Sequence, residues 1–248
     1  MKQLILAITL AAALGSAHAQ QDAPSLSKVN GSLTAEAGRA YGDLDTVNGS
    51  ITVEEKAVAR DVETVNGSIL VDAYARTADV STVNGKITLR NGAQADSVET
   101  VNGSIIGVSN LRVAKAVEAV NGSIEIGAGS QVGGNVETVN GGIKLLAMKV
   151  AGRVETVNGD ILVGDGTEVA GGILVSRPKG WGINWGKPKV PRIVLAAGSV
   201  VHGELVFERE VELYVHSSAK YGPVRYMESD KDKAGTLKPI VFTGKRPD

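Results

Sequence analysis

Val62-Glu63-Thr64-Val65-Asn66-Gly67-Ser68-Ile69-Leu70-Val71 is one copy of a phrase that recurs through most of the chain. Its central Val-Asn-Gly begins at Val29, Val47, Val65, Val83, Val101, Val120, Val139 and Val157, in steps of 18, 18, 18, 18, 19, 19 and 18 residues. Three apolar columns keep step with it. Leu44, Val62, Val80, Val98, Val117, Val136 and Val154 precede the motif. Leu33, Ile51, Ile69, Ile87, Ile105, Ile124, Ile143 and Ile161 follow it, with Ala35, Val53, Val71, Leu89, Gly107, Ile126, Leu145 and Val163 two positions later. A repeat this regular dictates the architecture and is read before any local propensity.

Two all-β folds use such a unit. Asn-Gly between alternating apolar residues is a strong hairpin signal, and a chain of hairpins would make a meander. A meander, however, needs a second turn of comparable strength between motifs. Those stretches vary instead: Glu55-Lys56-Ala57, Asn91-Gly92-Ala93, Gly127-Ala128-Gly129. A single-stranded β-solenoid explains the period better. Eighteen residues at roughly 3.3 Å each close one circuit of short strands and corners, and the next circuit stacks about 4.8 Å above it. The expected fold is all-β, with about ten circuits of 18–19 residues and a C-terminal cap. An 18-residue circuit can also be three hexapeptides, the signature of left-handed helices. The columns three before and four after each Val break that rule, which favours a right-handed helix.

Stacking predicts the role of each column. β-branched residues face inward on a pleated surface. Asn30, Asn48, Asn66, Asn84, Asn102, Asn121, Asn140 and Asn158 lie at a corner, where carboxamides bond up and down the stack as a structural ladder. The following Gly supplies positive φ or the absence of a Cβ. Thr46, Thr64, Thr82, Thr100, Thr138 and Thr156 stand two residues before their Asn, and the alternation of a strand suggests one outward Thr-x-Asn face. The column Asp45, Glu63, Glu99, Glu118, Glu137 and Glu155, interrupted by Ser81, is a candidate surface column. It either pairs with neighbouring Lys and Arg or binds divalent cations.

Outside the repeat, residues 1–19 read as a secretory signal: Lys2, the apolar run Leu4 to Leu14, and Ala17-His18-Ala19 before the cleavage point. Residues 20–28 form a lead-in, 29–175 the regular solenoid, 176–192 an inserted loop with Trp181 and Trp185, 193–228 divergent circuits and cap, and 229–248 a charged tail. Within 201–207, Val201-His202-Gly203-Glu204-Leu205-Val206-Phe207 resembles the motif with His202 in the Asn place. No Pro occurs between Pro24 and Pro178, as uninterrupted ladders require.

Composition narrows function. The chain has 26 Lys+Arg against 27 Asp+Glu among 248 residues, which disfavours nucleic acid as a partner. It has no Cys, so disulfides, thiolate metal sites and a Cys nucleophile are excluded. After the leader, His202 and His216 are the remaining histidines, and no phosphate loop, zinc spacing or nucleophile motif accompanies them. A regularly repeated acid column describes a surface, whereas a catalytic site needs one singular constellation. The expectation is a non-enzymatic protein without cofactor and without a transmembrane span once the leader is removed. It would be exported to the periplasm or cell surface. Its expected partner is an envelope component, a glycan or a second copy of itself.

The phrase V-E-T-V-N-G-S-I at this period behind a leader resembles the bacterial GIN-type adhesin head domains, a β-helical, envelope-associated family. The segment Ile193 to Val224, with Gly198-Ser199-Val200-Val201-His202-Gly203-Glu204-Leu205, is similar to bactofilins, β-helical proteins that polymerise end to end. The first resemblance implies an adhesin-like or envelope-structural surface, the second a self-polymerising scaffold. A polysaccharide-binding or polysaccharide-active protein is a more distant alternative. Neither family supplies a catalytic residue.

Overall fold

The structure is a computed structural model describing residues 23–178, 190–227, 234–235 and 238–244. The stretch 1–19 expected to be a leader and the Trp181/Trp185 stretch expected to be an inserted loop lie outside the described residues. All regular structure among the described residues is strand. Two sheets of 12 and 11 strands run the length of the molecule, and a third, of 7 short strands, runs from Gln94–Ala95 onward and is continued below by isolated bridges from Ala40 to Gln94. The result is a β-solenoid of about ten circuits.

Sheet 1 is built from strands such as Leu44–Asn48 and Val62–Asn66, and sheet 2 from strands such as Ile51–Val53 and Ile69–Val71. Sheet 3 takes two-residue strands, among them Gln94–Ala95, Arg112–Val113 and Gln131–Val132. Pairing is parallel and in register, so Val62 lies on Val80, Asn66 on Asn84 and Ile69 on Ile87. Like residues therefore stack on like, and the three apolar columns become three continuous stripes of buried side chains. Each buried Val or Ile is worth about 1.5–3 kcal/mol over its exposed state. The Val of Val-Asn-Gly has the opposite parity: Val65, Val101 and Val120 face outward, half-buried.

Three corners join the sheets, and each solves a different problem. At the Asn-Gly corner the absence of a Cβ decides. A Cβ on Gly67, Gly85 or Gly103 would overlap the carbonyl of the Gly one circuit below, whereas only Gly31 of the motif glycines has positive φ. Positive φ is used at the next corner, between sheets 2 and 3, by Gly38, Lys56, Tyr74, Gly92, Asn110, Gly129, Ala147, Gly166 and Gly198. The third corner lengthens midway. Gln94 to Val98 spans four positions and Arg112 to Val117 five, so the extra residue of the 19-residue circuits enters beside Ala114-Lys115-Ala116.

Some boundaries differ from the expectation and one matches it. Leu26–Asn30 already pairs with Leu44–Asn48, so the solenoid begins inside the presumed lead-in. Ile161 pairs with Ile193, so the stretch expected as an insertion falls, as expected, between Val175 of sheet 1 and Arg192 of sheet 2, at the place of the Asn-Gly corner. The tail also joins the sheets. Ile240–Phe242 extends sheet 2, and Ala234–Gly235 pairs antiparallel with Val224–Met227 to end sheet 1. Ile240–Phe242 satisfies the backbone edge of Tyr214–His216, although Ile240 and Val241 themselves stay exposed.

Candidate functional site

The outward faces are where this fold meets other molecules, and two of them carry organised chemistry. On sheet 1 the Asn side chains form one ladder. Each Nδ2 donates to the Oδ1 of the Asn below at 2.8–3.0 Å, from Asn158 to Asn140 and on through Asn121, Asn102, Asn84, Asn66 and Asn48 to Asn30. The ladder is solvent-exposed. All its carbonyls point the same way, toward the C-terminal end. There Arg209 Nη1 donates to Asn158 Oδ1 at 2.7 Å and to the Val157 carbonyl at 2.9 Å.

Thr and Asn do not share a face. Thr46, Thr64, Thr82, Thr100, Thr138 and Thr156 are buried. Five of them donate inward, to the carbonyls of Gly31, Gly49, Gly67, Gly85 and Gly122 at 2.9–3.2 Å. Alternation from the inward Leu44 puts Thr46 inward too; the chain bends at Asn48, where alternation stops applying. Among the described residues, Thr156 Oγ1 is the buried side-chain atom without a partner.

The acid column stands on the outer face of sheet 1, half-buried between circuits. Glu99 lies on Glu118, Glu118 on Glu137 and Glu137 on Glu155. Arg153 reaches Glu155 at 3.7 Å and Asn135 Nδ2 donates to Glu137 at 2.7 Å, but no ion pair reaches Glu63, Glu99 or Glu118 among the described residues. Neutralisation by Lys and Arg therefore does not run along the column. Partial burial raises Glu63, Glu99, Glu118 and Glu155 above the ordinary value. Glu118, with carboxylates on both sides, is pushed up to about 7. Among the described residues no three acid or His side chains converge on a point where a metal ion would sit.

His202 does not take the Asn place. Val201 pairs with Val169 on sheet 3, so His202 stacks over Ala170, and Leu205 falls in the column of Val154. The pattern Val-x-Gly occurs at two different corners, and the sequence alone matched the wrong one. His202 Nε2 lies 2.9 Å from Glu168, while His216, on sheet 2, contacts Ser218 and the Phe242 ring. The two histidines are not brought together.

The second organised face was not singled out in the sequence. Arg76, Gln94, Arg112, Gln131 and Lys149 stack in register along the outside of sheet 3. Beside them runs a groove of about 890 Å³ bordered by Ala114, Gly133, Ala151 and Ala170. The column lies in the variable stretches between motifs, where no single residue type recurs. Aligning the chain by its period rather than by its motif reveals the alternation.

The chain matches no protein-family model, no curated protein and no solved structure.

Proposed function

We propose that this protein is an exported, non-enzymatic β-solenoid whose outer faces bind a component of the bacterial envelope or of another cell surface, in the manner of an adhesin head. The observation that supports this reading is the in-register repetition of outward chemistry. Asn stacks on Asn and, from Glu99 to Glu155, Glu on Glu, while the sheet 3 column alternates cation and amide, with circuits about 4.8 Å apart. Such a surface fits a ligand that itself repeats. The resemblance of V-E-T-V-N-G-S-I to adhesin heads points the same way. The test has two parts. Fractionation of cells producing the full chain should place the processed protein outside the cytosol, and the purified chain 20–248 should be retained saturably by envelope preparations. Cytosolic retention, or no binding to any envelope fraction, would overturn the proposal.

A self-polymerising scaffold is the second reading. It is favoured by the strands Leu26–Asn30 and Leu33–Ala35, each of which pairs on one side only among the described residues. The antiparallel strand Ala234–Gly235 at the other end of sheet 1 weighs against it, because it interrupts the parallel register a further copy would have to continue. Filaments formed by the intact chain would favour the scaffold.

A further inference from the structure

We propose that the groove along sheet 3 binds a linear anionic polysaccharide in which an acidic sugar alternates with an uncharged one. The inference rests on the surface-binding reading above and names its site and ligand class.

The column alternates cation and amide: Arg76, Gln94, Arg112, Gln131, Lys149. Neighbouring strands lie about 4.8 Å apart, so Arg76 and Arg112 stand about 10 Å apart with an amide between them. A pyranose in an extended glycan advances the chain by a similar distance, so one sugar fits each circuit. A carboxylate on every second sugar then meets Arg76 and Arg112, while Gln94 and Gln131 face the hydroxyl or acetamido groups of the sugars between. Guanidinium suits carboxylate through paired, charge-assisted hydrogen bonds, and the Gln amide both donates and accepts.

Arg76 and Arg112 are exposed and pair with no acid among the described residues. Most other basic residues of the solenoid are paired, including Arg39, Arg60, Arg90, Lys115 and Lys144. Lys149 is held by Glu168 at 3.1 Å, and Glu168 in turn contacts His202, which closes the column at that end. Val58 bounds it at the other. The small residues Ala114, Gly133, Ala151 and Ala170 give the groove its depth at the lengthened third corner, and the two carboxylates that line it, Asp96 and Glu168, are engaged by Lys115 at 3.4 Å and Lys149 at 3.1 Å. Among the described residues no aromatic side chain lines it, so they offer a nucleic acid no stacking platform.

The chain 20–248 should be tested by affinity electrophoresis in hyaluronate (uronic acid on every second sugar), polygalacturonate (acid on every sugar), dextran (none) and single-stranded DNA. Binding to hyaluronate should exceed binding to the other three and weaken with added salt. The variant Arg76→Gln/Arg112→Gln extends the amides already present at Gln94 and Gln131, so its circular dichroism should be unchanged. It should lose about tenfold or more in hyaluronate affinity, the equivalent of one charge-assisted hydrogen bond. Arg39→Gln/Arg90→Gln, with the same change in charge at another corner, should stay within about twofold, or about 0.4 kcal/mol. No retardation by hyaluronate, equal losses in both variants or preference for DNA would each overturn the proposal. Envelope retention separates the two levels of inference. Equal retention of wild type and Arg76→Gln/Arg112→Gln removes the groove and leaves the surface-binding reading, whereas no retention of either removes both.

Discussion

At the scale of single residues, the same side chain has opposite worth in different circuits. Thr100 Oγ1 donates to the Gly85 carbonyl at 3.2 Å, while Thr156 Oγ1 is equally buried and has no partner. Thr100→Val should cost about 1 kcal/mol, because it removes a bond, whereas Thr156→Val should be neutral or stabilising by about 1 kcal/mol. Urea midpoints of the two variants check this, and equal destabilisation would contradict it. Glu118 makes a second case. Its value in the fold, about 7, lies above the ordinary 4.5, so between these pH values the native state holds a proton that the unfolded chain releases. Stability contributed by this group is therefore present at low pH and lost as pH rises toward and past 7. Glu118→Gln should stabilise at pH 8 by about 1 kcal/mol, well below the full linkage value because the carboxyl is half exposed, and should gain nothing below pH 4.5. A gain that is the same at both pH values would mean that the cost of ionising a half-buried carboxyl among its neighbours is not its source.

At the scale of the circuit, the Asn ladder and the Gly spine do different work side by side. Asn102 bonds Asn84 and Asn121 in solvent, so Asn102→Ala should cost only about 1 kcal/mol, against no change for the exposed control Lys86→Ala. Gly103→Ala should cost about 3 kcal/mol or more, because a Cβ there would overlap the Gly85 carbonyl and force adjacent circuits apart. Thermal denaturation of the three variants ranks them. These columns were legible in the sequence because period and register coincide: one residue type every 18 or 19 positions is one stripe. Where residue type does not recur, legibility fails. Lys56, Tyr74, Asn110 and Ala147 share the same positive-φ corner although nothing in their chemistry is alike. The Arg76–Lys149 column is hidden for the same reason, and the inward side of Thr46 is hidden by the bend at Asn48, past which strand parity no longer relates the two residues.

At the scale of the whole molecule, the sheets are stacks in which each circuit pairs with the one before and the one after. Stability is then close to a sum of circuit and interface terms, and the ends matter more than in a globular domain. Val224–Met227, Ala234–Gly235 and Ile240–Phe242 cover one end. Removing residues 224–248 should leave Leu205–Phe207 and Glu212–His216 as open edges and drive concentration-dependent association, while the chain 20–248 stays finite in size. Light scattering over a dilution series checks this, and identical profiles for the two would show that the end is not what limits assembly. The parallel ladders have a mechanical consequence as well. Their hydrogen bonds lie along the long axis, so tension applied between the two ends loads the circuits in series rather than all at once. The stack should then peel one turn at a time, each releasing about 60 Å of slack. A tether of this kind dissipates a sudden pull in many small steps and rewinds from whichever circuits remain.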